Sequence, residues 1–154
     1  MFHQIGNGSA RGINYTDCKA HLAYFAADLA IDLAYVLLGT NDYNASAGIA
    51  SYATGITDIV QGLCPAAGIV VCSPARCKIP DSPPAISQIQ YRDAAYQLAT
   101  QYGWEFFNAY DAWEPYEIEK LFGMWSDELH LGYNASNAGS RRYAKGQFAT
   151  IKEA

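Results

Sequence analysis

Leu33-Ala34-Tyr35-Val36-Leu37-Leu38 is an unbroken run of six apolar residues that stops at Gly39-Thr40-Asn41-Asp42. A strand buried on both faces of a parallel sheet reads this way, whereas a half-solvated strand alternates. Parallel neighbours also require long, usually helical, crossovers, so this one run constrains the topology of everything around it. In such sheets chemistry collects just beyond the carboxyl ends of the strands, where Asn41 and Asp42 stand.

The remaining segments supply what such a sheet needs. Thr16 or Asp17 can cap a helix whose apolar face is Leu22, Phe25, Ala26, Leu29 and Ala30, ending near Asp32. A second helix is expected over Ala45–Leu63, with Ile49, Tyr52, Ala53, Ile56, Ile59, Val60 and Leu63 on one face and Pro65 closing it. Gly68-Ile69-Val70-Val71-Cys72-Ser73 reads as another buried strand, followed by an exit loop, Pro74 to Pro84, that four prolines stiffen into a surface segment. A third helix spans Ala85 to Tyr102, with Ile86, Ile89, Ala94 and Leu98 inward and Gly103 as its stop. Trp104–Tyr110 gives a third strand, Glu114–Leu121 a short aromatic helix or turn, and Ser136–Ile151 a last helix with Tyr143, Ala144 and Phe148 on its apolar side. Strand and helix alternating at this spacing mean an α/β sandwich with right-handed crossovers. With 154 residues the chain forms one domain, 1–154, with no repeat or linker.

Composition removes several function classes. Half the residues are hydrophobic (51%) and only 16% are charged, which excludes a disordered chain. A net charge of -5 and the absence of any basic run argue against nucleic acid. No stretch is long enough for a membrane span. Met1-Phe2-His3-Gln4 has none of the features of a signal peptide. The four cysteines, Cys18, Cys64, Cys72 and Cys77, have no zinc-ribbon or redox spacing. Cys72 reads as a core residue, and Cys77 is left free to pair with Cys64 or Cys72. His3, His21 and His130 form no ligand set, so neither metal nor cofactor is expected.

Two segments carry chemistry. In Asp127-Glu128-Leu129-His130-Leu131, a carboxylate three residues before a histidine can accept the imidazole Nδ1–H and leave the other nitrogen as a base. An Asp-x-x-His is common, and taken alone it is more often a surface cap beside a satisfied histidine than a catalytic pair. Its position after a third strand, on the sheet end that also carries Asn41, favours the catalytic reading. The turn Gly6-Asn7-Gly8-Ser9-Ala10-Arg11-Gly12 can bring backbone N–H groups to a ligand. It has the first two glycines of a dinucleotide loop without the spacing of the third.

Gly39-Thr40-Asn41-Asp42 resembles the G-x-N-D block of the SGNH (GDSL-type) hydrolases. Asp127–Leu131, followed by Asn137–Ala144, resembles their D-x-x-H block with its closing helix. The resemblance runs from Gly6 to Phe148 in the family's order. It implies a three-layer α/β/α sandwich with a parallel, flavodoxin-like sheet. It also implies an esterase in which His130 is the general base and Asp127 its orienting partner. Asn41 and the N–H of Gly8 would then hold the oxyanion, with Ser9 or Gly6 in place of Gly8 if the register slips.

The family's Gly-Asp-Ser block is absent from the chain. Asp81-Ser82 comes in the wrong order and Ser73 lacks the strand-to-helix elbow of an exposed nucleophile. The resemblance therefore implies the carboxyl-terminal three-quarters of the family fold, incomplete at its amino end, with the nucleophile outside the chain. The isolated chain is then expected to be inactive or impaired, and the 33–38 strand becomes a bare apolar edge. A complementing amino-terminal segment or a homo-oligomer would be its partner.

Expected substrates are small esters or acetylated carbohydrates. Tyr43, Trp113, Tyr116, Trp125 and Tyr133 either stack on sugar faces or pack as core or lid. Four glycosylation sequons begin at Asn7, Asn14, Asn44 and Asn134. Glycans on several of them would crowd the active face, which favours a bacterial or phage source; the compartment stays open among secreted, cell-surface and phage-virion settings. The rival from another class is a non-catalytic sugar-binding or assembly domain on the same fold. A flavodoxin-like nucleotide binder is the third option.

Overall fold

The computed structural model describes residues 33–63 and 68–128, together with Thr16 and Lys145. In order, these form β1 (Leu33–Leu37), α1 (Thr40–Asn44), α2 (Ile49–Leu63), β2 (Gly68–Cys72), α3 (Gln88–Tyr102), β3 (Glu105–Phe107) and α4 (Tyr116–Leu121). The described strands make one sheet in the order β1-β2-β3. Both pairings are parallel, with Tyr35 opposite Val70 and Val71 opposite Phe106. The expected α/β class and parallel sheet are what the chain adopts. The helices expected over 16–32 and 136–151 lie outside the described residues, apart from Thr16 and Lys145.

β2 has a strand on each side, and its β-branched run Ile69-Val70-Val71 is buried together with Cys72. α3 packs on β2 and β3 and against α2. The inward face of α2 is Tyr52, Ile56, Ile59 and Val60, the spacing read from the sequence. Ala94, Ala95, Leu98 and Ala99 give α3 its inner face, small enough to bring the helix close to the sheet. Ser87 caps α3 and its N–H donates to the Gln90 side chain at 2.8 Å. Gly103, at φ 69, closes the helix in the left-handed conformation that glycine favours.

Four expectations are corrected. β1 is not buried on both faces: Leu33 and Leu37 are 39% and 48% exposed, because β1 is an edge of the described sheet. The segment after Asn41 is not a plain turn leading to a helix at Ala45. A short helix, α1, comes first, and α2 begins only at Ile49. Ile89 points to solvent, since the inner face of α3 is set by Gln88, Tyr91, Ala94 and Ala95. The loop after β2 is not a surface segment throughout: Ser73, Ala75 and Cys77 are buried, and only from Ile79 does the chain emerge.

Candidate active site at the carboxyl end of the sheet

The Gly39-Thr40-Asn41-Asp42 segment is shaped by its glycine. Gly39 turns the chain out of β1 at φ 127, and the Tyr43 N–H closes the first turn of α1 on the Gly39 carbonyl at 2.8 Å. A Cβ at this position would lie 3.2 Å from two ring carbons of Pro74 and 3.3 Å from the Tyr52 hydroxyl. The exit of β1 is thus pressed against the exit of β2. Asp42 and Tyr43 turn inward and are buried, while Asn41 stays partly exposed at the strand end.

Buried hydroxyls hold this segment. Tyr52 donates to the Leu38 carbonyl at 3.1 Å. Tyr91 donates to the Asp42 carbonyl at 3.1 Å and also reaches the Ala47 carbonyl. The rings of Tyr52 and Tyr91 meet edge to face at 5.1 Å. Burial, helped by the nearby Asp42 carboxylate, pushes the Tyr52 phenol far above its ordinary value, so it remains a donor at every physiological pH.

The Asp127 end docks on the same exit of β2. The Lys78 N–H donates to the Glu128 carbonyl at 3.0 Å, and Lys78 Nζ pairs with Glu128 Oε1 at 2.6 Å. That contact raises the Lys78 pKa. On the other side of the same peptide group, Gln88 Nε2 donates to the Cys77 carbonyl at 3.0 Å. Asp127 is exposed beside this anchor. Of the expected site residues, the structure describes Asn41 and Asp127. Gly8 and His130 lie outside the described residues, as do Gly6 and Ser9.

Ser73 is sealed in the core rather than presented. It is fully buried, its N–H donates to the Phe107 carbonyl at 3.0 Å, and its Oγ accepts the Tyr110 N–H at 2.9 Å. It ties the exit of β2 to that of β3 and is not placed as a nucleophile. Cys72 and Cys77 are both buried and form no disulfide with each other, which closes the pairing left open between them. Tyr43, Trp113, Tyr116 and Trp125 are core residues, with Trp125 5.8 Å from Trp113 and 5.7 Å from Tyr116 between ring centres. These four are not a sugar platform; Tyr133 lies outside the described residues. Among the described residues, no cluster of His, Cys, Asp and Glu could hold a metal ion, and no helix is long and apolar enough to cross a membrane.

Two supporting residues, Tyr91 and Gln88, escaped the sequence reading, and that reading places Tyr52 inward but not as a hydroxyl donor to the strand exit. The helical spacing of Tyr91 with Ala94, Ala95 and Leu98 marks it as inward-facing, but nothing local tells which carbonyl its hydroxyl reaches. Gln88, a polar residue in the first turn of a helix, reads as solvated.

The pattern of the GDSL-like Lipase/Acylhydrolase family matches residues 4–135. Among solved structures, an acetyl xylan esterase is similar with a TM-score of 0.73 at 15% identity, over 91% of this chain and 77% of that one. An acetylxylan esterase from Geobacillus stearothermophilus gives 0.68 at 19% identity, over 91% and 68%. A member of the lipolytic G-D-S-L family from Veillonella parvula gives 0.69 at 13% identity, over 93% and 77%. At such identities the likeness establishes the fold, a parallel sheet with helices of the SGNH/GDSL hydrolase type. No curated protein sequence matches the chain.

Proposed function

This chain belongs to the GDSL-like lipase/acylhydrolase family, and from that premise we propose that it serves an esterase that removes acyl or acetyl groups, with acetylated carbohydrate as the substrate class. His130 acts as the general base and Asp127 orients it. The Asn41 side-chain amide and the Gly8 N–H receive the oxyanion. The nucleophilic serine comes from outside these residues, and the chain alone is expected to be inactive or impaired.

In the reaction, serine Oγ attacks the ester carbonyl while His130 takes its proton. The tetrahedral oxyanion collapses, the C–O bond to the alcohol breaks, and His130 returns the proton to the leaving oxygen. Water then repeats the sequence on the acyl-enzyme. Donors aimed at the oxyanion act where charge develops, and losing one costs roughly 10²–10³ in rate.

The observation that supports this reading most is shared anchorage. Gly39 packs on Pro74, and Glu128 is held by Lys78, so two motifs far apart in sequence fasten to the same short exit of β2. The substrate class rests on the similarity to two acetylxylan esterases. The test is hydrolysis of p-nitrophenyl acetate and acetylated xylooligosaccharides by the complete enzyme. His130→Ala should abolish turnover, and Asn41→Ala should cost about 10²–10³ in kcat. A His130→Ala enzyme working at the parent rate would refute the assignment.

A further inference from the structure

The first turn of α3 touches both ends of the candidate site. Gln88 and Tyr91 are three residues apart, which puts them on one face of the helix, and both are buried, at 6% and 0% exposure. Tyr91 reaches up to the Asn41 segment through the Asp42 and Ala47 carbonyls. Gln88 reaches the other way with its Nε2, to the Cys77 carbonyl, while its side chain also meets the Tyr43 hydroxyl of α1.

That second contact does not stop at Cys77. The Cys77 C=O and the Lys78 N–H belong to one planar peptide group. The carbonyl accepts from Gln88 while the N–H donates to the Glu128 carbonyl. Glu128 is the second residue of Asp127-Glu128-Leu129-His130, so the bond grips the middle of the motif. Hydrogen bonds in series through a peptide polarise and strengthen one another. Gln88 is thereby connected to the motif by a rigid spacer rather than by a flexible side chain.

The geometry points to Gln88 as a positioning residue for the Asp127–His130 pair, acting through the Cys77–Lys78 peptide, with Tyr91 one turn on fixing the oxyanion end. This rests on the proposed roles of Asp127 and His130. The two ends of the site then share one rigid mount, and their separation is set by a single helical turn. Gln88 touches no reacting atom. It fixes where the Glu128 backbone, and with it Asp127, stands at the exit of β2.

Gln88→Met keeps the length of the side chain and removes its amide. The first measurement is the proton NMR signal of the His130 ring N–H, far downfield when the imidazole is held against Asp127, which needs no nucleophile. Gln88→Met should broaden or abolish it. Tyr91→Phe should leave it in place while shifting the Asn41 side-chain amide resonances. In the complete enzyme, Gln88→Met should lower kcat by about tenfold or more with KM little changed, because misplaced groups cost rate rather than binding.

Arg92→Met, on the same helix but linked among the described residues to Asp93, Asp111 and the Tyr110 ring, controls for a general loss of stability and should keep both signal and kcat. Should Gln88→Met fail to fold, Gln88→Asn, which keeps an amide but withdraws it by one carbon from the Cys77 carbonyl, carries the test with the same changes expected. A parent protein without the downfield signal would sink the Asp127–His130 assignment itself. A parent signal that persists unchanged in Gln88→Met, or in Gln88→Asn where that is the folded variant, would overturn the role of Gln88 alone.

Discussion

Gly39→Ala is the smallest change that probes how the Asn41 segment is built. An alanine here must adopt φ 127, a conformation L residues rarely take, and holding a residue in such a region costs on the order of 1–3 kcal/mol. Its methyl would also stand 3.2 Å from Cδ and Cγ of Pro74 and 3.3 Å from the Tyr52 hydroxyl. Pro74 is buried at the end of β2, and its ring cannot swing away as a long side chain would. Forcing a methyl into a packed interior adds about 1–3 kcal/mol, and the lower entropy of the unfolded alanine chain gives back about 0.4–1 kcal/mol. The net expectation is a loss of roughly 2–4 kcal/mol.

The assay is equilibrium urea unfolding. With a slope of about 2 kcal/mol per molar, the midpoint should fall by roughly 1–2 M at unchanged slope. Adding Pro74→Ala removes the two ring contacts but not the backbone strain, and should restore about 1 kcal/mol. A Gly39→Ala midpoint within about 0.3 M of the parent would refute both the strain and the close approach on which this account of the turn depends.

Three further outcomes follow from the same contacts. Ser73→Ala leaves the Tyr110 N–H without its acceptor and should cost about 1–2 kcal/mol by urea unfolding with ester hydrolysis unaffected. A rate loss of about tenfold or more would return Ser73 as a nucleophile. The Asp111 carboxyl is held below its ordinary value of 3.8 by the Asn108 amide, then by Arg92 and Arg76. Its contribution is complete above that ordinary value and is lost as pH falls through the lower folded one. Asp111→Asn should therefore be less stable than the parent at neutral pH, by about 1 kcal/mol or less at so exposed a site, and the gap should close in acid; a gap that widens would reverse the sign. Burial pushes the Cys77 thiol up to about 12, so a thiol reagent at mildly alkaline pH should label neither Cys77 nor Cys72 until the protein unfolds, as mapped by peptide mass spectrometry.

What was legible in the sequence was whatever depends on a local pattern. β2 announces itself because Ile69-Val70-Val71 leaves no other place for three β-branched or aliphatic residues in a row. α2 follows from the spacing of Tyr52, Ile56 and Val60, and the end of α3 from Gly103. β1 has an equally apolar composition and a different fate, since whether Leu33 and Leu37 are covered depends on what pairs beside the strand, which composition does not encode. α1 was missed for a related reason. Thr40–Asn44 has no apolar periodicity, and its helix is held by tyrosine hydroxyls delivered from α2 and α3.

The same distinction explains which parts of the site could be read. Asn41 and Asp127 sit in motifs whose residue types the proposed chemistry would fix, so type and order suffice to nominate them. Gln88, Tyr91 and the Cys77–Lys78 peptide belong to no motif, because a carbonyl can be held by any donor that reaches it. Their selection is geometric: the donor must come from an element that crosses the sheet at the right height, and in this chain that element is the first turn of α3. Such supports should therefore be exchangeable in residue type so long as a donor is kept, whereas Asn41 and Asp127 should not be. That contrast separates a residue that performs chemistry from one that holds it in place.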